Sequence, residues 1–192
     1  MGAVRVLRTL APLALVAGLL AACGDGSSSS SSVDDSTVLG ASTGFEVRTV
    51  YARYAPGVPL GPQLPKSLVD EMASQSCPME PQIVQDLLME CDTGKTVYLL
   101  KNPVVRGGVA TATPTQIGHQ DIWYVEVKLD PSVSQKLSSE LPSMTGTQLA
   151  FTYDGAVLTS IAVDSSFDPE HFGITGDYTK ASATKLAEDL TA

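Results

Sequence analysis

The best-defined chemistry in this chain belongs to its three thiols. Cys23 follows Leu20-Ala21-Ala22 at the end of an apolar stretch. Small residues at that point suit a processing peptidase, and cleavage before Cys23 would leave its thiol beside a new amine. Cys77 and Cys91 are the remaining pair. An even pair in an oxidising compartment defaults to a disulfide. Closing so short a loop stabilises the fold by roughly 3 kcal/mol through the unfolded state. A redox role would call for Cys-x-x-Cys spacing, which they lack.

Other residue sets suggest chemistry and fall short of it. Gly40-Ala41-Ser42-Thr43-Gly44 has the Gly-x-Ser-x-Gly pattern of a nucleophile elbow, with Asp168 and His171 downstream in hydrolase order. That motif needs a strand before the serine and a helix after it; here a polar run precedes it and a strand signal follows. Ser182-Ala183-Thr184-Lys185 matches Ser-x-x-Lys without the companion motifs of penicillin-interacting enzymes. Gly94-Lys95-Thr96 ends like a phosphate loop, but Met89 stands where the first glycine is required. Asp168, Glu170 and His171 are a thin set for a cation, because zinc wants three or four converging ligands. His119 has no partner nearby in sequence. No catalytic residue, metal ligand or cofactor site is assigned.

Residues 1–22 read as the leader. Arg5 and Arg8 form a positive start, and Thr9 to Ala22 is almost wholly apolar. The stretch is too short for a comfortable membrane span. Leu20-Ala21-Ala22-Cys23 is similar to the lipobox of bacterial lipoproteins, which carry a diacylglycerol thioether on this cysteine. Stable anchoring takes at least two acyl chains, and that modification supplies them. Residues 23–43 then form an acylated cysteine and a serine-rich tether, with Ser27 to Ser32 unbroken. A coil of that length spans on average about 25 Å. The expected location is the outer side of a cell membrane, held by lipid.

The formal net charge is −9, and losing Arg5 and Arg8 with the leader makes it more negative. So acidic a chain is a poor partner for nucleic acid. It is equally unsuited to an anionic bilayer surface, so lipid must do the anchoring. The length that remains implies one folded domain, residues 44–192.

The elements that would position any site follow from periodicity. Phe45 to Tyr51 alternates as a strand, and Pro56 to Pro65 is a loop. Gln82 to Glu90 reads as a short helix with Ile83, Leu87 and Leu88 on one side. Thr96 to Leu100 and Gly108 to Thr113 read as strands. Ile122 to Leu129 alternates most clearly, with Trp123, Val125, Val127 and Leu129 facing a core. Pro131 opens a helix that Pro142 ends. Thr147 to Tyr153 and Ala156 to Val163 flank Asp154-Gly155, the turn of a hairpin. A last helix runs from about Thr179 with Ala183, Leu186, Ala187 and Leu190 on one face. Strands mixed with about three helices, without regular alternation, imply an α+β single domain with an antiparallel or mixed sheet.

The run Leu149-Ala150-Phe151-Thr152-Tyr153-Asp154-Gly155-Ala156-Val157-Leu158 is followed by Gly173-Ile174-Thr175-Gly176-Asp177-Tyr178-Thr179 and then Ala183-Thr184-Lys185-Leu186-Ala187. In this order they resemble the head subdomain of the first periplasmic domain of SecD and SecDF, accessory subunits of the Sec protein-export channel. The resemblance covers roughly Cys91 to Leu190. It departs at Ser160-Ile161-Ala162, where that family often has a proline, and the chain shows neither the six membrane helices nor the base subdomain of SecD. What it implies is a head-like fold and a role in holding or guiding emerging polypeptides. The expected partners are then exported chains or export-channel subunits. Two other readings stand beside it: a lipoprotein that reuses the fold to bind a small molecule or cell wall, and a serine hydrolase acting through Ser42.

Cys23→Ala is expected to release the protein from the membrane fraction or leave its leader uncleaved, as fractionation with intact-mass measurement would read. Normal cleavage with full membrane retention would refute the lipid anchor.

Overall fold

The computed structural model describes residues 44–57, 64–118 and 120–192. The residues read as leader and tether, Cys23 and Ser42 among them, and His119 lie outside the described residues. Nine strands and three helices are described. In chain order, β1 is Glu46–Tyr54, α1 Lys66–Ser74, β2 Gln82–Val84, β3 Leu87–Cys91, β4 Val97–Arg106, β5 Val109–Gln116 and β6 Trp123–Leu129. Then come α2 Pro131–Met144, β7 Gln148–Tyr153, β8 Ala156–Ala162, β9 His171–Tyr178 and α3 Lys180–Leu190. The fold is α+β with antiparallel sheets, as the pattern implies.

Six strands form one sheet in the order β2-β3-β4-β1-β7-β8, and three form another in the order β5-β6-β9. β4 and β5 are consecutive but belong to different sheets. Gly107 and Gly108, at φ of 62° and 74°, make the crossing. Glycine is needed at the second for space as well, because a Cβ there would collide with Val133 of α2.

The large sheet curls. Its inner face carries Val50, Leu88, Tyr98, Leu100, Ala150 and Val157, which form one buried cluster. These come from five strands, β1, β3, β4, β7 and β8. Curling brings β3 and β8 together, and a parallel bridge joins Asp92 to Val157. The outer face is covered in two places. Leu68 and Met72 of α1 pack on Met89, Cys91, Val97 and Leu99. Elsewhere Phe45, Val47, Val105, Leu149 and Phe151 pack on the small sheet and on α2 and α3. The four phenylalanines of the chain gather there, with the Phe151 and Phe172 rings 4.3 Å apart between centroids. Val125, Val127 and Leu129 face this core, so the stripe read on β6 is plain packing.

The helix expected over Gln82 to Glu90 is instead the β2–β3 hairpin. Gln85 and Asp86 form its two-residue turn at φ of 48° and 61°, the left-handed pair that a tight hairpin requires. Without a glycine, the turn carries no sequence signal. β3 is buried on both faces, so its apolar run has no period of two. The third helix is α1, directly after the Pro/Gly-rich loop. Pro142 also lies inside α2, which continues to Met144. Proline costs the helix one hydrogen bond there, but its φ suits the remaining turn.

Asp154 and Gly155 make the β7–β8 turn as expected, at φ of 49° and 72°. Gly155→Val should destabilise the domain by about 1–2 kcal/mol, because a β-branched residue is forced into left-handed backbone. Urea unfolding followed by circular dichroism checks it; an unchanged midpoint would remove the turn from the account of stability.

Candidate functional site

Two features of the large sheet carry polar or exposed chemistry. The first lies inside the curl. β1 alternates Glu46, Arg48 and Val50 on the inner face, and all belong to its concave side. Arg48 is 0% exposed and its Nε donates to Glu46 Oε2 at 2.7 Å. Its Nη1 donates to the Lys101 carbonyl at 3.0 Å. Arg106, at the end of β4, brings Nε within 2.9 Å of Glu46 Oε1. Glu90 of β3 is also buried, 1% exposed, and its Oε2 makes no hydrogen bond. Burial pushes the Glu90 carboxyl up to about 7; Arg48 opposes the shift and the like charge of Glu46 adds to it. A charge set this enclosed is a structural lock and not an open site.

The second feature is a groove on the outer face, in the gap between the two coverings. β1 supplies Thr49 and Tyr51, β4 supplies Lys101 and Asn102, the β2–β3 turn supplies Gln85 and Asp86, and β3 supplies Leu87. Leu68 of α1 and Pro65, which precedes that helix, close it. Its volume is about 640 Å³. Tyr51 is 46% exposed, and Lys101 Nζ stands 5.9 Å from its ring centroid. Beside it runs β2, the edge strand of the large sheet, with Ile83 49% exposed. An exposed aromatic, an apolar floor and a nearby unpaired strand edge are the parts from which a polypeptide-binding surface is built.

The residues singled out in the sequence fare differently. Cys77 and Cys91 are joined in a disulfide, which packs beneath α1 and ties the segment before β2 to the end of β3. Asp168 and His171 are both exposed, with Nδ1 and Oδ2 3.9 Å apart. Asp168 Oδ1 accepts the Glu170 backbone N–H at 2.8 Å, so it shapes a turn. Among the described residues, no group of three metal-ligating side chains is gathered. Ser182 closes a capping box with Thr179 at the start of α3, while Lys185 pairs with Asp189 at 2.7 Å. Gly94 and Lys95 end the β-turn Asp92–Lys95, and the Asp92 carboxylate accepts the Thr96 N–H at 2.8 Å. Sequence reading found neither the groove nor the inner charges. Tyr51 and Lys101 lie fifty residues apart, and their meeting depends on the antiparallel pairing of β1 with β4.

Residues 82–192 match the family described as SecDF, P1 head subdomain, and the chain belongs to that family. The match opens at Gln82, the first residue of β2, so β1 and α1 lie upstream of it. A search of curated proteins finds no match. Two solved structures are similar. One is SecDF in its super-membrane-facing form, at 19% identity and a TM-score of 0.49, covering 76% of this chain and 18% of that one. The other is a structure of SecDF, a membrane component that enhances protein export, at 18% identity and a TM-score of 0.48, covering 76% of this chain and 60% of that one. The chain thus spans less than two thirds of either. Among the described residues, no helix is long and apolar enough to cross a membrane.

The Glu90 carboxyl titrates higher in the folded state than in the unfolded chain, so the native state binds the extra proton. Stability is greatest below the unfolded value of 4.5 and is lost as pH rises through about 7. Between pH 5.5 and 8 the loss should be about 2 kcal/mol. Glu90→Gln should flatten that slope in urea titrations at each pH. An equal slope in both proteins would place the titrating group elsewhere.

Proposed function

We propose that this protein is a lipid-anchored, extracytoplasmic lipoprotein whose head-like domain binds polypeptide at the outer face of the membrane and assists protein export. It acts without catalysis. The observation that carries this reading is the groove at Tyr51, open, floored by Leu68 and Leu87, and adjacent to the β2 edge. An extended segment lying there could add main-chain hydrogen bonds to β2 and place alternate side chains in the groove. Membership of the SecDF P1 head family supports an extracytoplasmic setting and export as the context. The lipobox at Cys23 supports the anchor. Exported chains or export-channel subunits are the partners this reading requires.

A second reading has an observation of its own. A smaller cleft of about 290 Å³ lies between β4, β8 and β9, lined by Asp92, Tyr98, Ser160, Thr175 and Asp177. Tyr98 donates to Asp92 Oδ2 at 3.1 Å there. A hydroxyl- and carboxylate-rich cleft suits a small polar ligand such as a cell-wall sugar.

Site-specific photocrosslinking in cells separates the two. A photoreactive residue at position 51 should capture exported polypeptides or channel subunits, and one at Ser160 should capture little. Capture of glycan from Ser160, with none of protein from position 51, would reverse the assignment.

A further inference from the structure

The curl of the large sheet is closed by a thin seam. β3 meets β4 through four paired residues, and β7 meets β8 through six. Among the described residues, β3 and β8 are joined only by the parallel bridge of Asp92 with Val157. Two clefts flank that bridge. One of about 360 Å³ is lined in part by Cys91, Asp92, Thr93, Gly155 and Ala156. The other, the cleft of about 290 Å³, takes Asp92 and Thr93 together with Leu158, Thr159 and Ser160. Val157 lies between them along β8, so the seam has an opening at either end. One side chain braces it. The Tyr98 hydroxyl donates to Asp92 Oδ2 at 3.1 Å and stands 3.4 Å from Ser160 Oγ. Burial holds that hydroxyl above its ordinary range, so the brace keeps its proton across neutral pH.

Behind the seam stands Glu90, paired across the sheet with Tyr98 and two residues before Asp92. It is 1% exposed, and its Oε2 accepts no hydrogen bond. A neutral carboxyl tolerates such a place. A carboxylate there lacks the hydrogen bonds that burial demands. The surrounding charges are committed elsewhere or repel it. On β1, Arg48 gives Nε to Glu46 and Nη1 to the Lys101 carbonyl, and the like charge of Glu46 opposes ionisation. Arg53, farther along β1 and opposite Tyr98, is exposed. Arg106 of β4 pairs with Glu46, and Asp92 adds another negative group. β2, β7 and β8 carry no Asp, Glu, Lys, Arg or His. What the closed interior withholds from an ionised Glu90, an open seam would supply as water.

We propose that the β3–β8 seam is a proton-sensitive gate: neutral Glu90 keeps the curl shut, and ionised Glu90 favours a form in which β3 parts from β8 and water enters. β3 keeps its pairing with β4 in that form, so the opening is local. It uncovers the inner face at Leu88, Leu100, Ala150 and Val157. The gate draws on neither the polypeptide groove nor the lipid anchor.

The sign follows from burial, which raises the Glu90 carboxyl to about 7 when the seam is shut, against 4.5 when it is solvated. The closed form binds the extra proton, so opening grows as pH rises from 4.5 to about 7 and levels off above.

Iodoacetamide labelling of full-length Ala150→Cys, read peptide by peptide and corrected for thiol ionisation, tests the gate. Ala150 is 0% exposed on the inner face, and Ala183 is 0% exposed in the phenylalanine core. Labelling at position 150 should rise about thirtyfold from pH 5.5 to pH 8. It should exceed that of Ala183→Cys at both pH values and respond little to low urea, since parting one seam exposes little surface. Val157→Cys should give the same result from β8. Adding Glu90→Gln, which keeps the neutral shape, should remove the pH dependence. Labelling at 150 and 157 that is no faster than at 183, or as steep in urea, overturns the gate and leaves Glu90 acting on global unfolding alone. A rise that survives Glu90→Gln overturns it by placing the proton elsewhere.

Discussion

Everything in the large sheet depends on a buried arginine that must be neutralised. Arg48 has no access to water, and an uncompensated charge there would cost several kcal/mol. Glu46, two residues earlier on the same face, supplies the counter-charge, and the Lys101 carbonyl takes another donor. The Lys101 carbonyl, and Arg106 beside Glu46, reach this pair only when β1 lies against β4 in the observed register. Shifting β1 by one residue would turn both charges toward the phenylalanine core. Hydrophobic packing fills the sheet, and the ionic set ties β1 to β4.

That constraint also shapes the surface. β1 irregularities in its pairing with β4 fall between Val47 and Ala52, next to the charges. A bulged strand bends and re-aims its side chains. Thr49 and Tyr51 emerge there on the outer face, in the gap that neither α1 nor the small sheet covers. The groove is thus a by-product of how the inner charges are accommodated.

The parts legible in sequence were those decided locally. Asp154-Gly155 announces its turn because glycine tolerates left-handed backbone, whereas Gln85-Asp86 makes the same kind of turn with no such marker. β6 alternates because its sheet has one wet face. β3 has no wet face, and its apolar run imitated a helix. In β1, polar alternate positions suggest a solvent side, but the curl of the sheet closes over them. Only contacts between distant strands reveal that Glu46, Arg48 and Glu90 share an interior. The groove was hidden for the same reason, since its walls come from four elements.

The position of β1 has a further consequence for assembly. The earliest strand to appear is central in the finished sheet, and its second neighbour, β7, begins about a hundred residues later. A chain threaded outward from its N-terminus cannot complete this sheet until nearly all of it has crossed. Non-local pairing of this kind is slow, because loop closure must precede the contacts that reward it. Until then β1 waits with an unpaired edge and two charges on one face. Those charges make it a poor template for pairing with other chains, so the feature that locks the native register also guards the interval before it forms.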